Sequence, residues 1–182
     1  MRIEQRQPTQ QLGLDDDLLD RVFAARGISD PSQLERGLVN LLSPADLPEI
    51  DIAAARLADA VEQNQKILIV GDFDADGATS VALCLLALRA MGAVNVDFLV
   101  PNRFDYGYGL SPEIVQLAAT LAPNVIVTVD NGVASVDGVA LANEAGIDVV
   151  VTDHHLPGDV LPDAHALVNP NVGDNAFASK SM

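Results

Sequence analysis

Three aspartates at alternate positions follow a short apolar run, and their side chains are well suited to binding a cation. The run 67–70 (Ile-Leu-Ile-Val) is typical of a strand buried on both faces, and Asp72, Asp74 and Asp76 come directly after it. On an extended backbone, residues two apart share a face, so we expect the three carboxylates to crowd one edge of a sheet. Crowded anions repel each other unless a cation lies among them, which indicates half of a metal site.

Two other interpretations of these aspartates remain open at this point. The spacing matches the first half of an EF-hand calcium loop, but Leu83 stands at the twelfth position, where that loop needs Glu, and a strand precedes the aspartates where an EF-hand has a helix. Alternatively, the aspartates could cap the N-terminus of the helix that the apolar run 78–91 predicts. The triplet alone does not separate a helix cap from a metal site.

Composition and charge narrow the class of protein. A chain of 182 residues that is 49% hydrophobic suits one α/β domain with a small appendage. Its 26 acidic and 10 basic residues give a net charge of −16, which argues against nonspecific wrapping of nucleic acid but not against a nucleic-acid enzyme that uses metal ions. A single cysteine and the lack of an apolar run of about 20 residues predict a cytoplasmic protein without a membrane partner.

The order of apolar segments predicts the fold. Residues 1–49 read as a short helical segment, and 50–182 as an α/β domain with a parallel sheet and right-handed crossovers. The predicted strands are 67–71, 96–100, 125–129 and 148–152, and the predicted helices between them are 78–91, 112–121 and 135–145.

Polar residues follow two further strands at the edge where such sheets bind ligands. Asp130 follows the third predicted strand, and Asp153, His154 and His155 follow the fourth. Carboxylates with an imidazole suit Mn²⁺ or Mg²⁺, and two such ions about 3.5–4 Å apart can activate water and clamp a phosphoryl group. The sequence therefore predicts a metal-dependent phosphoryl-transfer site.

Three motifs in order resemble the DHH phosphoesterase superfamily. They are 71–77 (GDFDADG), 129–132 (VDNG) and 153–155 (DHH). The flanking segments 100–111 and 168–171 are similar to the single-strand-specific exonucleases of that superfamily. The resemblance covers roughly 50–182, and the helical segment before it is similar as well.

The resemblance implies roles for the clustered side chains. Asp74 and Asp76 would ligate two ions, Mn²⁺ or Mg²⁺, with Asp130 bridging them; His154 would be a further ligand, and His155 would contact the scissile phosphate. Two more residues, Asp72 and Asp153, would either ligate metal or orient the ligands. A histidine that many members carry four residues before the position of Asp74 is Val70 here, so we expect one ion to be held less tightly or completed by water.

The segment after the second predicted strand is a candidate substrate contact. Arg103 could hold a phosphate and Tyr108 could stack on a base. The alternative is an ordinary loop, and the residues themselves do not decide between the two.

The resemblance implies an exonuclease that degrades single-stranded DNA from 5′ to 3′ and releases 5′-mononucleotides in DNA repair and recombination. Other enzymes on this scaffold act on oligonucleotides, cyclic dinucleotides or pyrophosphate. A non-enzymatic phospho-acceptor domain also clusters aspartates at strand ends, although the paired histidines argue against it. The superfamily's fourth motif and second lobe are not found in this sequence. We therefore expect the amino-terminal part of a longer enzyme, inactive alone and prone to self-association.

Overall fold

The computed structural model of this protein describes residues 10–35 and 37–179, except the side chains of Val39 and Arg103. The chain divides into two units, with the boundary between Leu42 and Ser43. No helix in the described part of the chain is long and apolar enough to cross a membrane.

The first unit is built around one helix, α1 (Asp17–Ala25). Asp16 caps it by accepting hydrogen bonds from two backbone N–H groups of its first turn. The buried carboxylate of Asp20 accepts from the backbone N–H groups of Leu12 and Leu14 at 3.0–3.1 Å, which lowers its pKa and ties the preceding segment to the helix. Two 3-10 turns, Pro31–Leu34 and Leu38–Asn40, follow.

The second unit is organised around a five-stranded parallel sheet in the order β2-β1-β3-β4-β5. Every residue of β1 and β3 is buried, as the apolar runs predict. The strands are β1 (Ile67–Gly71), β2 (Val96–Leu99), β3 (Val125–Val129), β4 (Asp148–Thr152) and β5 (Ala166–Val168). The predicted α/β fold with a parallel sheet is confirmed, and the strand β5, which is only three residues long, was not predicted.

Helices cover both faces of the sheet. Their bounds are α2 (Ile50–Glu62), α3 (Ala75–Ala90), α4 (Arg103–Tyr106), α5 (Pro112–Ala119) and α6 (Val136–Glu144), and Pro44–Asp46 forms a 3-10 turn before α2. The helices α2 and α3 pack on one apolar cluster of strand side chains, and α5 and α6 pack on the other. This arrangement leaves the carboxyl ends of the strands uncovered by these helices, and these strand ends form the open edge of the sheet.

Three central strands end level with one another, and this register positions the acidic loops. Gly71 pairs with Val129, which pairs with Thr152, so each is the last paired residue of its strand. The residues that follow these three positions therefore emerge side by side at the open edge.

The contact between α6 and the turn before α5 requires a glycine. A Cβ added at Gly138 would overlap the backbone carbonyl oxygen of Leu110, and a backbone atom cannot rotate away as a side chain can. By contrast, a Cβ at Gly158 would meet only a carbonyl oxygen at 3.9 Å.

We expect Gly138→Ala to lower the free energy of unfolding by about 1–3 kcal/mol, because the extra methyl forces α6 away from its neighbour. Urea unfolding followed by circular dichroism measures the loss. Gly158→Ala is the control and should change stability by less than about 0.5 kcal/mol. Equal stability of the two variants would contradict the proposed close contact.

Candidate metal centre

The loop after β1 brings three aspartates to the open edge. The backbone there does not stay extended, because the first turn of α3 begins within the loop. Asp74 is the N-cap of α3, and its carboxylate accepts a hydrogen bond from the N–H of Gly77 at 3.1 Å. Asp76 lies in the first turn of α3. The expectation that Asp72, Asp74 and Asp76 alternate along an extended strand is therefore wrong, because the helix begins at Ala75, three residues earlier than predicted.

The turn is tight because α3 begins against the strand end itself. A Cβ at Gly77 would lie 2.6 Å from the backbone oxygen of Asp72 and 2.8–2.9 Å from its backbone carbon and nitrogen, which leaves room only for glycine. This approach folds the chain back so that the carboxylates of Asp74 and Asp76 reach toward the loop after β3.

Asp130 lies at the centre of the open edge, and its backbone N–H, its carbonyl and its carboxylate each contact another residue. Its backbone N–H donates to the carbonyl of Thr152 at 3.1 Å, and its carbonyl accepts from the hydroxyl of Tyr108 at 2.9 Å. Its carboxylate lies 2.8 Å from Nε2 of His154. The backbone of Asp130 has a φ of 63°, in the left-handed region that non-glycine residues rarely adopt, so these contacts hold a strained conformation.

Charge accumulates around this buried carboxylate. Asp130 is only 9% exposed, and burial raises its pKa; the hydrogen bond from His154 opposes that rise, while the carboxylates of Asp76 and Asp74 add to it. A divalent cation at this point would relieve the repulsion.

Two groups of possible metal ligands share Asp130. One consists of Asp74, Asp76 and Asp130, and the other of Asp130, His154 and His155; within each group the ligand atoms lie within 4.8 Å of one another. The structure thus brings together five of the predicted site residues from three strand ends. Neither group, among the residues described, includes Asp72 or Asp153.

Asp153 is engaged by the protein itself. Its side chain is 1% exposed, and one carboxylate oxygen lies 2.7 Å from Nδ1 of His155 and accepts from the backbone N–H groups of His154 and His155. The other oxygen accepts from the N–H of Val133 at 2.9 Å. The hydrogen bond with Asp153 raises the pKa of His155, which therefore retains a proton more readily than a free imidazole.

The predicted substrate contacts differ in outcome. The hydroxyl of Tyr108 lies 3.2 Å from Nδ1 of His155, and the two rings pack edge to face, so Tyr108 contacts the site directly. Burial and then the surrounding carboxylates, Asp153 first among them, raise the pKa of Tyr108, which keeps its hydroxyl protonated. Arg103 begins α4, and its side chain lies outside the described part of the chain. A cavity of about 420 Å³ adjoins Tyr108 and His155.

Three asparagines hold the loops after β3 and β4 through side-chain hydrogen bonds. In the sequence, their only signal is that they lie within or beside the superfamily motifs. Asn169 and Asn171 donate to the backbone carbonyls of His155 and His154, which anchors the histidine loop to the end of β5. Asn131 donates to the carbonyls of Val70 and Val129. All three occur within segments that resembled the superfamily, but their partners could not be identified without the sheet order.

Comparison with known proteins gives a consistent family. The family model described as "DHH family, N-terminal domain" matches residues 66–181. The single-stranded-DNA-specific exonuclease RecJ of Salmonella typhimurium is 53% identical over 165 residues, which cover 91% of this chain and 29% of that relative.

Two solved structures share the fold of the chain. Exonuclease RecJ bound to manganese has a TM-score of 0.65 at 36% identity and covers 71% of this chain and 33% of its own. RecJ from Thermus thermophilus in complex with Mn²⁺ has a TM-score of 0.63 at 32% identity, and the match covers 81% of this chain and 20% of that protein. The chain thus spans at most 33% of the length of these three proteins. Because the family model matches well over half of its residues and the three motifs lie together at one sheet edge, the chain belongs to the DHH family.

Proposed function

We propose that the open edge of the sheet is a two-metal site for Mn²⁺ or Mg²⁺, with Asp130 as the shared ligand. The observation that carries this proposal is that Asp74 and Asp76 from one loop and His154 from another each bring a possible ligand atom within 4.8 Å of that one buried carboxylate. The oxygen and imidazole donors fit hard or borderline divalent ions. The two related RecJ structures contain manganese, which favours Mn²⁺.

The roles of the side chains follow from their contacts. We assign Asp74 and Asp76 to one ion, His154 to the other, and Asp130 to both. When bound, two such ions lower the pKa of a water molecule and stabilise charge on a phosphoryl group. Asp153 instead orients His155, because its two oxygens already accept hydrogen bonds from four protein groups. Asp72 remains a candidate ligand or an orienting residue.

His155 is the residue we assign to the substrate phosphate. With Nδ1 donating to Asp153, the ring is fixed in one tautomer, and Nε2 is left as the nitrogen that can meet a phosphate oxygen. The ring is 45% exposed, so a ligand can reach it. We keep Arg103 and Tyr108 as further substrate contacts, with the hydroxyl of Tyr108 also steadying the Asp130 loop.

We propose that the reaction is phosphodiester hydrolysis in single-stranded DNA, from 5′ to 3′ with release of 5′-mononucleotides, in DNA repair and recombination. The 53% identity to a single-stranded-DNA-specific exonuclease supports this substrate.

The cytoplasm is the proposed compartment, which suits an unpaired cysteine. Leu83 and Leu86 on α3 are 68% and 69% exposed, which supports self-association that sedimentation at rising concentration would detect.

Manganese should raise the melting temperature of the chain by several degrees. At 100 times the dissociation constant, binding to the folded state alone adds about 2.7 kcal/mol to stability. Asp130→Asn should remove most of this rise, because the substitution weakens the binding of both ions. Differential scanning fluorimetry with and without MnCl₂ measures the effect.

The matched control for charge removal is Asp59→Asn, since Asp59 is an exposed carboxylate on α2 away from the clustered ligands. This variant should keep the full rise. If Asp130→Asn and Asp59→Asn respond to Mn²⁺ alike, Asp130 is not the shared ligand.

A chimera tests the substrate. In it, the matched segment of the Salmonella typhimurium enzyme is replaced by that of this chain, which supplies the motifs. We expect the chimera to release mononucleotides from 5′-labelled single-stranded DNA faster than it cleaves a dinucleotide or pyrophosphate. In the same chimera His155→Ala should lower kcat more than Mn²⁺ affinity, whereas His154→Ala should lower both.

Asp74→Ala in the chimera is the negative control and should abolish release. Preference for a dinucleotide or pyrophosphate over the long strand would contradict the proposed substrate. Equal loss of Mn²⁺ affinity in His155→Ala and His154→Ala would contradict the division between ligand and phosphate contact.

A further inference from the structure

One buried amide joins the two strands from which the acidic loops emerge. Nδ2 of Asn131 donates to the carbonyl of Val70 in β1 at 3.2 Å and to that of Val129 in β3 at 2.9 Å. The residue is 1% exposed, so these bonds are shielded from water. A side chain thus links the two strands at the level where their backbone ladder ends.

The position of these bonds relative to the carboxylates gives them their importance. Val70 precedes Asp72 by two residues, and Val129 directly precedes Asp130. The loop after β1 and the loop after β3 supply Asp74, Asp76 and Asp130, which make up one of the two groups of ligand atoms. The distance between the two carbonyls that Asn131 bridges therefore helps to set the separation of those ligands.

Repulsion acts against this arrangement. The carboxylate oxygens of Asp74, Asp76 and Asp130 lie within 4.8 Å of one another, so the two loops repel each other when no cation is present. The strained backbone of Asp130, with its φ of 63°, also favours relaxation of the loop. A bond that crosses directly from one strand end to the other opposes both tendencies.

We propose that Asn131 is a positioning residue of the metal centre: by bridging β1 and β3 it holds the Asp72–Asp76 loop and Asp130 at the spacing that metal binding requires. In this role the amide acts through the two strand carbonyls and not as a metal ligand. This inference rests on the proposed function, since it presumes that the carboxylates bind metal.

A purely structural role is the competing explanation, because any lost buried bond destabilises the fold. The two can be separated by comparing metal affinity among variants of equal stability. Asn131→Leu keeps the branched shape of the side chain but is bulkier and cannot donate, and Asn131→Ser keeps a single hydroxyl donor on a shorter side chain. Val139→Ala, at a buried apolar position of α6, removes core packing but leaves both hydrogen bonds of Asn131 in place.

The measurement is the Mn²⁺ dissociation constant from electron paramagnetic resonance of free Mn²⁺, at a temperature where all variants are folded. We expect Asn131→Leu to weaken binding by at least about tenfold, as residues that orient metal ligands commonly do, and Asn131→Ser to be intermediate. Val139→Ala should bind Mn²⁺ with a dissociation constant within about twofold of wild type, even where its melting temperature falls as far as that of Asn131→Leu.

Two outcomes separate the positioning role from the metal site itself. If Asn131→Leu, or Asn131→Ser where the leucine variant does not fold, binds Mn²⁺ as tightly as Val139→Ala, the positioning role is wrong and the metal site stands. If the wild-type chain itself binds no Mn²⁺, the proposed function and this inference are both overturned.

Discussion

Mutual repulsion of carboxylates at one edge of a parallel sheet is the constraint that shapes the site. Asp74, Asp76 and Asp130 place their oxygens within 4.8 Å of one another, and Asp130 is nearly buried. At such distances like charges repel unless a cation or a proton compensates them, and the effect is strongest at Asp130, because Asp74 and Asp76 are exposed to water. The polypeptide must hold these groups in place, because they would otherwise separate.

The backbone provides that resistance. The strands β1 and β3 and the middle of β4 are buried, and the three strands end level, so the three loops start from a rigid base. Around Asp130 the loop is then fixed by Thr152, Tyr108 and His154. Preorganisation of this kind means that little of the free energy of ion binding is spent on ordering the ligands.

Much of this architecture could be predicted from the sequence, because buried parallel strands read as apolar runs that end in polar residues. The bounds of β1, β3 and β4 agree with those predicted, and so does the convergence of their loops. The start of α3 could not be predicted, since Asp74 could equally continue a strand or cap a helix. A three-residue strand such as β5 carries too few apolar residues to form a pattern.

The hydrogen-bond partners of Asp153 and Asn131 could not be predicted from the sequence for a different reason. The sequence leaves Asp153 as either a metal ligand or an orienting residue, and it does not show that the carboxylate accepts from the backbone N–H of Val133, 20 positions earlier. Asn131 reads as a turn residue, and one of its partner carbonyls lies 61 positions earlier in the chain. The contact of Asn131 depends on β1 and β3 being neighbours and that of Asp153 on β3 and β4, which the order of segments does not reveal.

The most direct test of the central claim is an anomalous difference map at the manganese edge from crystals of the chain soaked in MnCl₂. We expect anomalous density in contact with the carboxylate of Asp130, bounded by Asp74 and Asp76 on one side and by His154 on the other. Density at other acidic residues, with none beside Asp130 at saturating Mn²⁺, would contradict the proposed two-metal site.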